Sequence, residues 1–141
     1  MSFSSRLTKK LEAKVEKQKK AVRMASYELF KSIILQTPVD TGIARNNWFP
    51  SIGRASSEVV DNKGNQSVKL ASVLGYVQNW GLNNSLFFTN SLPYIGTLEY
   101  GGFPNPPKVG TGKTINGYST QAPSGMVRTN TKKFRNFFRK I

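Results

Sequence analysis

Apolar residues recur at helical spacing along residues 5–36: Leu7, Leu11, Val15, Val22, Ala25, Leu29 and Ile33, with Gln18 interrupting the stripe. This commits the start of the chain to one rod. Ser4 or Ser5 is placed to cap it, and Pro38 disfavours helical geometry at Thr37 and ends it. At ~1.5 Å per residue the rod would reach about 48 Å, longer than a single domain of this size needs. Its first half is mostly Lys and Glu around a thin apolar seam. That half is expected to project toward a partner, while Ala25–Leu35 packs on the body. With 141 residues in all, residues 1–141 are expected to form one domain with a single core that includes this helix.

The remaining segments are short. Thr41 and Gly42 follow Asp40 in a turn that opens a helical stretch through Ile43 and Ala44. Trp48, Phe49 and Ile52 read as a strand, and Pro50 places it at an edge or on a bulge. Val68, Ala71, Leu74 and Val77 mark a second amphipathic helix, stopped at Gly81. Ser85–Thr89 has the composition of a strand between turn formers. Pro93 opens a short helix from Tyr94 to Tyr100, closed by Gly101. Residues 102–120 read as a loop that orders only against a partner. Residues 123–141 read as a basic helix whose Phe134 and Phe138 face the core. These readings give an α+β class: a long N-terminal helix and shorter helices packed on a small antiparallel sheet.

Composition removes much chemistry. There is no cysteine and no histidine, which excludes disulfides, thiol catalysis and zinc–thiolate sites, along with the commonest general base. Glu12 and Glu16 face Lys20 as surface pairs. Asp40 reads as a helix cap rather than a base. Glu99, between Leu98 and Tyr100, reads as a structural carboxylate paired with Arg128. Catalysis would need a second acid or a metal cluster beside it, and the sequence offers neither. The chain is therefore expected to be no enzyme and to need no cofactor or metal. Gly110-Thr111-Gly112-Lys113 fails as a phosphate loop, because the position that needs a glycine is Pro107. No segment approaches the ~20 apolar residues of a membrane span, and no signal-peptide pattern is present, so cytoplasmic synthesis without a membrane partner is expected.

The net charge of +14 sits mainly at the two ends. Residues 1–31 carry nine Lys/Arg against three Glu, and residues 128–141 carry six Lys/Arg and no acid. Candidate contacts to DNA or to an acidic partner are Lys9, Lys10, Lys17 and Lys20 in the first helix, and Lys132, Lys133, Arg135 and Arg139 in the last. No spacing typical of a sequence-specific DNA reader accompanies them.

Three motifs remain: Thr37-Pro38-Val39-Asp40-Thr41-Gly42, followed by Asn47 and Trp48; Asn90-Ser91-Leu92-Pro93-Tyr94 running on to Leu98-Glu99-Tyr100-Gly101; and Gln121-Ala122-Pro123-Ser124-Gly125-Met126-Val127-Arg128. Asp40 and Thr41 are expected to cap a helix, and Pro93 and Pro123 to set helix starts. Tyr94, Tyr100 and Met126 are expected to fill the space between elements. Gly42, Gly101 and Gly125 suit close approach or positive φ. In this order, from about residue 25 to the end, the motifs resemble those of the tail-completion (neck) proteins of tailed bacteriophages. Phe103–Thr120 is inserted where members of that family often have only a few residues.

The resemblance implies a non-enzymatic virion protein, made in the host cytoplasm and built into the neck or upper tail. It would form a homo-oligomeric ring, a hexamer, between a head connector or stopper protein and a tail tube or terminator protein. Packaged double-stranded DNA would pass close by without sequence-specific contact. A tail terminator or minor tail component shares that ring geometry. A free basic nucleic-acid-binding protein is the alternative from a different class.

Overall fold

The computed structural model describes residues 2–39, 41–100 and 125–139, together with the backbone of 114–115 and 118–119. Asp40, Gly101, Gln121 and Pro123 lie outside the described residues, as does the glycine-rich stretch around Gly110.

The fold is α+β. Helix α1 (Phe3–Gln36) leads to a single turn of helix, α2 (Ile43–Asn46), and then to strand β1 (Trp48–Ile52). Helix α3 (Gln66–Asn79), strand β2 (Leu86–Asn90) and the short helix α4 (Ile95–Tyr100) follow. β3 (Thr114–Ile115) and β4 (Tyr118–Ser119) follow, and α5 (Met126–Arg139) completes the order. β1 and β2 pair antiparallel with Trp48 opposite Asn90 and Ile52 opposite Leu86. This two-stranded ladder meets the requirement of Pro50 for a strand with an open edge.

Several boundaries differ from expectation. α1 starts at Phe3, not residue 5, because Ser2 is its cap: the Ser2 hydroxyl accepts a hydrogen bond from the Ser5 amide. Residues 102–120 are not wholly loop, since β3 and β4 form a small antiparallel ladder. The last helix starts at Met126 rather than at residue 123, after Gly125 at φ 74°. α3 ends on an extended Trp80, and the left-handed residue beyond it is Leu82 (φ 62°) rather than Gly81.

Only the second half of α1 is packed. Ser26, Phe30, Ile33 and Ile34 are buried, whereas residues 2–18 are exposed throughout. The buried face is displaced from the Ala25–Leu29 line toward Phe30 and Ile34, which meet Trp48, Val73, Val77 and Met126 in the core. An aromatic stack crosses this core. The Phe88 ring lies 4.1 Å from Phe30 and 5.0 Å from Trp48, nearly parallel to both. Trp48 and Phe88 project from the same face of the ladder, because their cross-strand partners alternate in step.

Polar side chains close the ends. The Thr37 hydroxyl donates to the Ile33 carbonyl at 2.6 Å and accepts the Trp48 indole N–H at 2.9 Å, so helix end and strand start share one fully buried group. Arg45 donates from Nε to the Thr37 carbonyl (2.9 Å) and from Nη2 to the Leu35 carbonyl (2.6 Å), satisfying carbonyls freed at the end of α1. Arg23 donates to the Trp80 carbonyl at 2.8 Å and ties α1 to the end of α3. Buried Asn47 donates to the Val60 carbonyl and accepts from the Val60 amide, both at 2.9 Å, fastening the long connection between β1 and α3.

Trp48→Ala is expected to cost about 3–5 kcal/mol of unfolding free energy, as a buried aromatic deletion should. Thr37→Val, which keeps the volume and strands the indole N–H, should cost about 1–3 kcal/mol. Urea titrations of both variants measure this, and a Trp48→Ala loss far below that range would mean the indole is not a core element.

Candidate functional site

The second and third motifs meet at one place. Glu99 in α4 turns its buried carboxylate onto the first turn of α5. Its Oε2 accepts the Val127 amide at 2.9 Å, and its Oε1 accepts the Arg128 amide at 2.9 Å. Arg128 completes the clasp. Its Nε donates to Oε1 at 3.1 Å and its Nη2 donates to the Glu99 backbone carbonyl at 2.7 Å. A carboxylate at a helix N-terminus satisfies free amides and sits favourably in the helix dipole. Glu99 is thus a cap supplied from another helix, as well as the ion-pair partner of Arg128 expected from sequence. Gly125 makes the approach possible: a Cβ there would lie 2.6 Å from the Arg128 Nε and 2.7 Å from Glu99 Oε1.

The first motif is also structural. Gly42 is left-handed (φ 87°), and the Thr41 hydroxyl accepts the Ile43 amide at 3.3 Å, so Thr41 serves the start of α2. Asn90 donates to the Ala44 carbonyl and accepts the Leu92 amide, linking β2 to α2 and to the turn at Pro93 that leads into α4. Met126 is buried as expected. Tyr94 and Tyr100 are not fillers. Both are exposed, Tyr100 by 67%, and its ring lies beneath the Arg128 guanidinium at 4.7 Å. Helix α4 spends its buried positions on Glu99 and the partly buried Leu98, which turns Tyr100 outward.

Among the described residues, the basic side chains form no enclosed site. Lys9, Lys10, Lys17, Lys20, Lys132, Lys133, Arg135 and Arg139 are all exposed. Glu16 pairs with Lys19 at 3.5 Å, its i,i+3 neighbour, rather than with Lys20 at i,i+4. The aromatic side chains of α5 depart from their expected core role. Phe137 and Phe138 are exposed, and Phe134 is half-buried against them, with its ring 4.7 Å from that of Phe138. The buried positions of α5 are Met126 and Asn130, and Asn130 donates to Gln36 of α1 at 3.0 Å.

One cation is unusual. The Lys69 ammonium donates to the Trp48 carbonyl at 3.1 Å and lies 3.9 Å above the Phe49 ring. Burial lowers its pKa from 10.5, and the nearby Glu58 opposes that shift. Sequence reasoning passed over Lys69 and Arg45 and named Thr37 and Asn47 without their roles, which depend on partners distant in the chain. Among the described residues, no three His, Cys, Asp or Glu side chains are grouped to hold a metal, and no helix is long and apolar enough to cross a membrane. No protein-family model matches the chain, and neither a curated protein nor a solved structure matches it significantly.

Glu99→Ala is expected to cost about 2–3 kcal/mol by stripping charged hydrogen bonds from α5. Gly125→Ala should cost more than about 1 kcal/mol through its positive φ and the crowding of Arg128. Thermal melts of the two variants test both. Because the Lys69 pKa is lowered in the folded state, the unfolded chain binds more protons between that value and 10.5. Stability relative to Lys69→Met should therefore rise as pH climbs from neutral toward 10.5. Paired denaturation curves across that range, showing a flat or falling difference, would contradict the burial of this amine.

Proposed function

We propose that this protein is a structural subunit of a tailed-phage neck. It assembles as a ring, most simply a hexamer, at the head–tail junction, joins the connector to the tail tube and surrounds the DNA channel. The joint order of the three motifs carries this reading, because in the fold each serves to fasten elements together. Thr37 and Thr41 close the first connection, Asn90 links β2 to α2, and Glu99 with Arg128 clasps α4 to α5.

The surface supports the same reading. A ring subunit needs two different faces that fit each other around a closed circle. This chain exposes Phe3, Leu7, Leu11 and Val15 along the free half of α1 as a stripe for contact between subunits, and, apart from that contact, Phe137 and Phe138 on α5. Scattered apolar side chains on a monomer are ordinary, whereas stripes on a protruding helix mark contact surfaces. The basic residues on those same two helices suit a position beside packaged DNA or against acidic neighbouring rings, with each subunit contributing +14. A terminator or minor tail component would share these features.

Virions carrying Lys132, Lys133, Arg135 and Arg139 all changed to Gln are expected to join heads to tails poorly, or to lose the joint at lower salt than wild type. Unchanged joining with unchanged salt sensitivity would reject a role for this basic face. Sedimentation of the purified chain bears on the assignment itself. A ring, or copurification with virions, supports it. A monomer that binds duplex DNA with a steep salt slope, and is missing from the particle, overturns it in favour of a free DNA-binding protein.

A further inference from the structure

α5 runs back along α1 from the Asn130–Gln36 contact, and the two helices leave an open groove of about 330 Å³ between them. Its walls are Met24 and Leu29 on one side and Phe134 and Phe137 on the other, with Glu28 and Lys133 also lining it. The apolar walls are only partly covered: Met24 is 58% exposed and Phe137 44%. Lys17 and Lys20 stand one turn before Ala21 and Met24 on the same face of α1, and both are exposed. Lys132, Arg135 and Arg139 are exposed elsewhere on α5, which carries no acid among its described residues. The groove is thus an apolar floor inside a cationic frame, and Glu28 is the one carboxylate among its lining residues.

We infer that this groove receives an acidic amphipathic helix of a partner protein, its apolar stripe on Met24, Leu29, Phe134 and Phe137 and its carboxylates toward Lys17, Lys20 and Lys133. A cleft between two helices takes a third helix by the packing of side-chain ridges into grooves. Charge selects which helix. The free half of α1 from a second copy has a suitable stripe in Phe3, Leu7, Leu11 and Val15, but it brings Arg6, Lys9, Lys10, Lys14 and Lys17 against only Glu12 and Glu16. Placing it here would press cations on cations. Duplex DNA would satisfy the cations and leave the phenylalanines without a partner, since phosphates gain nothing from an apolar wall. An acidic helix satisfies both parts. The inference rests on the groove alone and stands apart from the neck assignment.

The test uses the full-length protein and a fluorescein-labelled peptide of about 18 residues with leucines at i, i+3, i+4 and i+7 and glutamates on its flanks. Controls are a scrambled peptide of the same composition, a peptide with the same stripe and lysine flanks, and a short duplex DNA. Fluorescence anisotropy is expected to show that the acidic striped peptide binds at least about tenfold more tightly than either control peptide. Phe137→Glu and Lys133→Glu should each weaken it by about tenfold with unchanged thermal melting, since both side chains are exposed. Should Phe137→Glu disturb folding, Met24→Glu on the opposite wall gives the same reading. Equal binding of the scrambled peptide would reduce the groove to a charged surface and overturn the inference. So would an absence of peptide binding, or DNA binding with the same Phe137 dependence. Self-association of the unliganded protein that Phe137→Glu abolishes would assign the groove to a second copy and overturn it as well.

Discussion

A single hydroxyl sits where three constraints meet. Thr37 must end α1 because Pro38 follows it, its side chain must satisfy a carbonyl of that helix, and the indole of Trp48 needs an acceptor once buried. The group does all of this at full burial. Trp48 is thereby set at the angle that stacks it on Phe88, and Phe88 in turn on Phe30. The ladder of two strands has too little hydrogen bonding of its own to be stable in water. It is held by this aromatic stack against α1 and by Val73 and Val77 from α3.

The legible parts of the fold were those with local signals. The rod and its stop at Pro38, the strand at Trp48, the helix through Val68 and Val77, the strand over Leu86 and Thr89 and the pairing of Glu99 with Arg128 all followed from periodicity, prolines or a lone acid among apolar residues. The errors came where neighbouring local signals compete or a distant partner decides. Ser2 rather than Ser4 or Ser5 caps α1 because the hydroxyl best placed for a free amide lies one turn before Ser5. Tyr100 faces out because the buried side of α4 is taken by Glu99 and the partly buried Leu98. The stripe of α5 has helical spacing, yet only its first turns meet the body, since Asn130 takes the contact with α1 and leaves Phe137 and Phe138 beyond it. Periodicity identifies an apolar face and says nothing of whether that face is covered.

Polar and apolar side chains divide their labour in an unusual way here. Inside, Thr37, Asn47, Glu99 and Asn130 are buried and each has hydrogen-bond partners, so they fix geometry. Outside, phenylalanines and leucines lie uncovered among lysines. The buried polar groups specify one arrangement of the subunit, while the exposed apolar groups leave binding energy unspent by folding. The glycine at 125 shows how tight the internal specification is, because one added methyl would displace the guanidinium that closes the clasp.

α1 has a mechanical consequence. A helix held only from about Lys19 onward extends its free part by about 24 Å, at ~1.5 Å per residue. It behaves as a lever whose fulcrum is the Phe30–Ile34 packing. A tilt of about 5° at that fulcrum, roughly 43 Å from Phe3 at ~1.5 Å per residue, moves the tip sideways by about 4 Å, enough to change which side chains meet at the far end. Small rearrangements around Trp48 and Phe88 are thereby magnified at Phe3, where neighbouring molecules would feel them as displacement rather than as a change of shape.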